Sequence, residues 1–246
     1  MKSQISRKIS SSARKLAEET DTLTFGGKTA FVYNPLQYAW SSHAEYIDTY
    51  GNGEKRVLFI GMNPGPWGMA QTGIPFGEIN AVKTWLKIDK GVEIPEIQHP
   101  KKPIQGFECS RSEVSGRRLW ALMRSRFRDA EHFFSDHYVA NYCPLIFLEE
   151  GGKNLTPDKL SAGERSSLFK LCDNHLREIV KYFRPEYVIG VGKFAEERAR
   201  TALQSEPASP SVASILHPSP ASPMANRGWA EQAEQKLVAL GIWQKR

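Results

Sequence analysis

Four short apolar runs punctuate the chain: RVLFI (56–60), HYVA (137–140), EYVIG (186–190) and SVASIL (211–216). They are rich in β-branched and aromatic residues and lack polar alternation, the pattern of strands buried on both faces. Between them the apolar period lengthens to three and four residues. Leu168, Leu171, Cys172, His175, Leu176, Ile179, Val180 and Phe183 form one such stripe, the buried face of a helix. Shorter helices are predicted over 78–87, 116–127, 193–204 and 225–240, the last stopped by Gly241. Strands alternating with helices imply crossover connections, so the expected architecture is one α/β domain with a mostly parallel sheet and helices on both faces. The Pro/Ser-rich stretch 205–223 does not read as a linker, because it contains VASIL and precedes a patterned helix.

The residues just past each strand carry the chemistry. After VLFI comes Gly61-Met62-Asn63, after YVA comes Asn141, and after ASIL comes His217. In a parallel sheet these side chains share the carboxyl edge, where open α/β sheets bind ligands. The loop GMNPGPWGMAQTGIPFGEIN (61–80) crowds glycines and prolines around Asn63, Trp67 and Phe76 and contributes no nucleophile. An asparagine amide offers the donor and acceptor that match a nucleobase edge. Phe76 or Trp67 can stack on the flat face of a base, and a histidine can donate to a carbonyl gathering negative charge. The set suggests a pocket for one nucleobase. Singly, each residue has a plainer reading: Asn63 as a turn cap, Asn141 as a backbone partner, His217 as a surface residue, and the aromatics as core.

Composition narrows the partners. The net charge of +6 favours a phosphate-backbone ligand, since Lys and Arg displace condensed counterions there. Cys109, Cys143 and Cys172 show no metal spacing and read as reduced thiols, so neither a metal nor a cofactor is expected. No membrane span or signal peptide is visible. Residues 1–24 read as a basic tail or frayed helix in preference to a transit peptide, with 25–246 as the domain proper. His175 reads as structural, and His43, His99, His132 and His137 show no paired spacing. GVGKFA (190–195) suits close strand–helix packing better than dinucleotide binding. Arg117 and Arg118 either touch phosphates or form a solvated helix face.

Two long segments, GMNPGPWGMAQTGIPFGE and HPSPASPMANRGW, resemble motifs 1 and 2 of the single-strand-selective monofunctional uracil-DNA glycosylases, within the uracil-DNA glycosylase superfamily. ECSRSEVSGRRLW, NYCPLIFLEEGGKNLTP and VIGVGKFAEERAR are similar to that family too, in the same order. The likeness runs from about Tyr33 to Gly241. It implies a three-layer α/β/α sandwich around a short four-stranded sheet, and hydrolysis of the bond between a damaged base and deoxyribose without strand cleavage. It implies that Asn63 positions water, Phe76 stacks on the base, Asn141 reads the uracil edge and His217 stabilises the departing base. Met62 joins the base-binding set, and Gly65 leaves room beside C5, which would admit 5-hydroxymethyluracil. The motif 2 loop, with Pro218, Ser219, Pro220, Ala221, Ser222, Pro223, Met224, Asn226 and Arg227, would wedge the DNA as the nucleotide is rotated out.

The chain departs from the vertebrate members at Ala221, where they carry an arginine wedge, so base extraction from paired DNA is expected to be weaker unless Met224 substitutes. Trp67 replaces a phenylalanine. The implied partner is single-stranded or duplex DNA, the protein a monomer, and the setting a bacterial cytoplasm at the nucleoid, or a nucleus. Rival readings are a glycosylase acting mainly on deaminated purines such as xanthine, a catalytically weak binder of damaged DNA, and a free-nucleoside hydrolase.

Overall fold

A computed structural model describes residues 3–206 and 209–246; Pro207 and Ala208 of the 205–223 stretch, and the first two residues of the tail, lie outside the described residues. The four apolar runs become β2 (Val57–Gly61), β3 (His137–Asn141), β6 (Tyr187–Val191) and β7 (Ser211–Ile215), in the order β3-β2-β6-β7 and parallel at every pairing. Every residue of central β2 is buried, as its unbroken apolar run requires. A small antiparallel sheet, β1 (Phe31–Tyr33), β4 (Ile146–Leu148) and β5 (Asn154–Leu155), sits beside it; nothing in the apolar pattern predicted it.

The main helices are α1 (Gln4–Asp21), α2 (Trp40–Tyr50), α3 (Val114–Arg126), α4 (Ala162–Phe183), α5 (Lys193–Leu203) and α6 (Trp229–Ala239). α1 packs on α4 and α4 on α5, while α3 meets α6, giving the three-layer α/β/α sandwich. Ser161 opens α4 with a reciprocal capping box to Glu164, and Leu168, Cys172, Leu176, Ile179, Val180 and Phe183 are its buried stripe. Gly190 does serve close packing: a Cβ there would fall 2.3 Å from the backbone nitrogen of Glu196 on α5.

Two expectations change. Residues 4–21 are no frayed tail: Ile9, Ala13, Leu16 and Ala17 are buried in the main core. Small residues on the buried face let this Ser-rich helix lie close to α4, where Ser12 Oγ meets Nδ1 of His175 at 2.8 Å. The helix predicted over 225–240 begins at Trp229, because Gly228 takes φ 92° after a single 3-10 turn.

Burial holds three histidines neutral: His43 and His137 are pushed down to about 4, and His175 to about 3. Their folded pKa values lie below the unfolded value of about 6.5, so the unfolded chain binds more protons as pH falls. The stability they contribute is complete above about pH 6.5 and is lost as pH falls through about 4 to 3, at about 3–5 kcal/mol per histidine. The melting temperature should already decline between pH 6.5 and 5, before ordinary carboxylates titrate. A flat profile across that interval would contradict it.

Candidate active site

The carboxyl edge of the parallel sheet opens into a cleft of about 410 Å³ lined by Met62, Asn63, Gly65, Phe76, Glu113, Asn141, His217 and Ser219, among others. Register explains the convergence. Gly61 pairs with Asn141 across β2 and β3, and β7 delivers His217 two residues beyond its end. Gly61 lacks the side chain that would separate its neighbours: a Cβ there would lie 2.3 Å from Asn141 Oδ1 and 2.6 Å from the Phe76 ring.

Phe76 is buried and takes a left-handed backbone conformation, φ 53°, which costs a non-glycine residue about 1–2 kcal/mol. Its carbonyl is held by Trp120 Nε1–H at 2.9 Å and by the Glu78 N–H at 2.7 Å. The ring lies 6.3 Å from the His217 ring at 42°. Asn63 donates from Nδ2 to the Leu145 carbonyl at 3.1 Å, which leaves Oδ1 as an acceptor. The Asn141 side chain donates to the Met69 sulfur at 3.2 Å, a weak acceptor readily exchanged for a ligand oxygen.

Burial lowers the pKa of His217, so the imidazole is neutral at pH 7. Its Nδ1 accepts the Ser219 N–H at 3.1 Å, so the proton sits on Nε2 as a donor. The ring packs beside Gly192, which takes φ 99°: a Cβ there would lie 3.1 Å from His217 Cβ.

Of the motif 2 loop, Ser219 lines the cleft, while Pro218, Pro220, Ala221, Ser222, Pro223, Met224, Asn226 and Arg227 do not. The loop is braced internally: Asn226 Nδ2 donates to the Pro220 carbonyl at 2.8 Å, and the Ala221 N–H to Ser219 Oγ at 3.2 Å. Arg118 has a role that neither sequence reading named. It donates to the Pro218 carbonyl at 3.1 Å and to Asn226 Oδ1 at 2.8 Å, tying α3 to the loop. Met224 projects from the loop, 60% exposed.

Two features escaped sequence reasoning. The space beside Gly65 is not empty: a Cβ there would lie 2.3 Å from a carboxyl oxygen of Glu113. No motif or spacing in the sequence marked Glu113. Next to the cleft, Trp67 carries Lys102 and Arg111 over its ring, at 4.6 and 4.5 Å, beside a hollow of about 580 Å³ that Lys101 also lines. Burial and then Arg111 lower the pKa of Lys102, and such crowded cations suit a phosphate backbone. Among the described residues no His/Cys/Asp/Glu group could hold a metal ion, and no helix is long and apolar enough to cross a membrane.

The sequence and the architecture resemble those of known proteins. The chain is 46% identical over 228 residues to the single-strand selective monofunctional uracil-DNA glycosylase of Rattus norvegicus, covering 93% of this chain and 82% of the rat protein. The Bos taurus protein of that name is also 46% identical, with 84% of it covered. The crystal structure of Pedobacter heparinus SMUG2 superposes with a TM-score of 0.65, covering 94% of this chain and 97% of the other at 17% identity, which supports the fold. Residues 49–239 match the family model of the uracil DNA glycosylase superfamily, and the chain belongs to that superfamily.

Proposed function

We propose that the protein is a monofunctional DNA glycosylase that releases uracil from DNA by hydrolysing its N-glycosidic bond, leaving an abasic site in an intact strand. The observation that carries this is the neutral His217, with Nδ1 occupied and Nε2–H free to donate, placed over the same cleft as Phe76, Asn63 and Asn141. The names of the vertebrate relatives support the substrate.

In this reading the extruded uracil stacks on Phe76. Asn141 Oδ1 accepts the N3–H while Nδ2 leaves the Met69 sulfur for O4. The C1′–N1 bond breaks with its electron pair passing to the base, and His217 Nε2–H donates to O2 as charge gathers there. Asn63 Oδ1 accepts a hydrogen from the water that captures the oxocarbenium-like sugar, and the proton passes to solvent. Among the described residues no lysine lines the cleft, which fits hydrolysis by water without strand cutting. A labelled single-stranded oligonucleotide with one uracil tests this. Cleavage should appear only after alkali; a strand left uncut by alkali would mean that no base was released.

The finer substrate range is part of the proposal: 5-hydroxymethyluracil and deaminated purines enter the same cleft, from single strands more readily than from duplexes. With alanine at 221, the exposed Met224 is the side chain left to fill the gap in a duplex. Met224→Ala should slow uracil release from a U·A duplex about ten-fold and from single strands less than about two-fold, since extrusion from a paired stack costs a few kcal/mol. Equal effects on both substrates would remove Met224 from that role.

A further inference from the structure

Glu113 is the carboxyl group of the cleft, and it has no local task. It occupies the N-cap position of α3 yet makes no capping hydrogen bond. Its Oε2 is enclosed and has no hydrogen-bond partner. The side chain instead reaches beneath the motif 1 loop. A Cβ on Gly65 would fall 2.3 Å from Oε1, and one on Gly68 1.5 Å from Oε2. Two bare α-carbons thus make the space that the carboxyl fills. Burial, and secondarily Glu78, pushes its pKa up to about 7. Near neutrality much of it is therefore the un-ionised acid, able both to donate and to accept.

The orientation of the base is set by Phe76, Asn141 and His217, so the role of Glu113 rests on the glycosylase reading. A pyrimidine on Phe76, with Asn141 at N3 and O4 and His217 at O2, has one in-plane edge left, C5–C6. Gly65, Pro66 and Glu113 belong to the cleft wall outside those three contacts, and we place the C5 edge against them. We propose that Glu113 is a specificity residue that reads the C5 substituent, hydrogen-bonding a polar group such as hydroxymethyl and rejecting methyl.

Chemically the three cases separate. Hydrogen at C5 neither pairs the carboxyl nor crowds it. A hydroxymethyl group gives the carboxyl the partner that it lacks. A methyl group covers a polar group without pairing it, which lowers the rate of thymine release by about ten- to a hundred-fold. The same loop therefore admits an oxidised pyrimidine while sparing the normal base.

The test is single-turnover excision from single-stranded oligonucleotides carrying uracil, 5-hydroxymethyluracil or thymine. Glu113→Ser is the main variant, because serine is a favoured N-cap and keeps the helix start while withdrawing the carboxyl. It should lower the hydroxymethyluracil-to-uracil rate ratio about ten-fold, with uracil release within about three-fold of wild type. Thymine release should become detectable. Glu113→Gln, with the same reach plus a donor and an acceptor, should restore the ratio to within about three-fold. Equal losses on uracil and hydroxymethyluracil, or an unchanged ratio, would make Glu113 structural and overturn the proposal. Folded wild type inert on all three bases would overturn the glycosylase reading instead, and this assignment with it.

Discussion

His217→Leu is expected to slow uracil release from a single-stranded oligonucleotide by about a hundred- to a thousand-fold, with affinity for that strand changed by less than about three-fold. Leucine fills similar space, so the change removes a donor and little packing. The donor matters only when the C1′–N1 electron pair moves onto the base, so its loss should appear in the single-turnover rate and leave binding nearly intact. The structure adds a detail to this expectation. Burial depresses the pKa of His217 and Ser219 occupies its Nδ1, so the active form is the neutral ring and the rate should not need imidazolium. Asn63→Ala should cost about a hundred-fold as well, through the water, since the amide is fixed by Leu145 in the one orientation that leaves Oδ1 to accept. Both variants within about three-fold of wild type would dismantle the mechanism.

The trio at the sheet edge was legible because buried parallel strands read as unbroken apolar runs, and the residue after each run must then fall on one side of the sheet. That logic placed Asn63, Asn141 and His217 together in the cleft. It failed wherever the signal depends on tertiary partners. β1, β4 and β5 are two or three residues long, too short to show a period. α1 has the Ser-rich, basic composition of a tail, and its burial is decided by α4 across the fold. Arg118 and Glu113 lie five residues apart on or beside one helix, and sequence left Arg118 between a phosphate contact and a solvated face while giving no signal for Glu113. Only the folded chain shows one reaching the motif 2 loop and the other the motif 1 loop. Gly65 is the instructive case: a glycine in a loop announces a close approach without naming what approaches.

Gly116→Ala should damage stability and catalysis together. An alanine in place of a helical glycine ordinarily stabilises by about 1 kcal/mol. Here the added Cβ would lie 2.2 Å from the Phe76 carbonyl oxygen and 3.0 Å from its carbon, and the neighbour is backbone that cannot rotate away. That carbonyl is held by Trp120 and by the Glu78 N–H while Phe76 sits at φ 53°, so relief requires α3 to slide or the strained turn to open. The clash therefore outweighs the helical gain. We expect a net loss of about 2–3 kcal/mol, seen as a melting temperature lower by about 5–10 °C for a domain of this size. Opening the turn also displaces the stacking ring, so uracil release should fall by about ten- to a hundred-fold. Gly163→Ala is the control, because it too lies in the first turn of a helix but a Cβ there would meet nothing within 4 Å. That variant should be neutral or slightly stabilised and fully active. If Gly116→Ala matched it in both measurements, α3 would not be what holds Phe76 in its strained turn, and the base would have to be positioned without that platform.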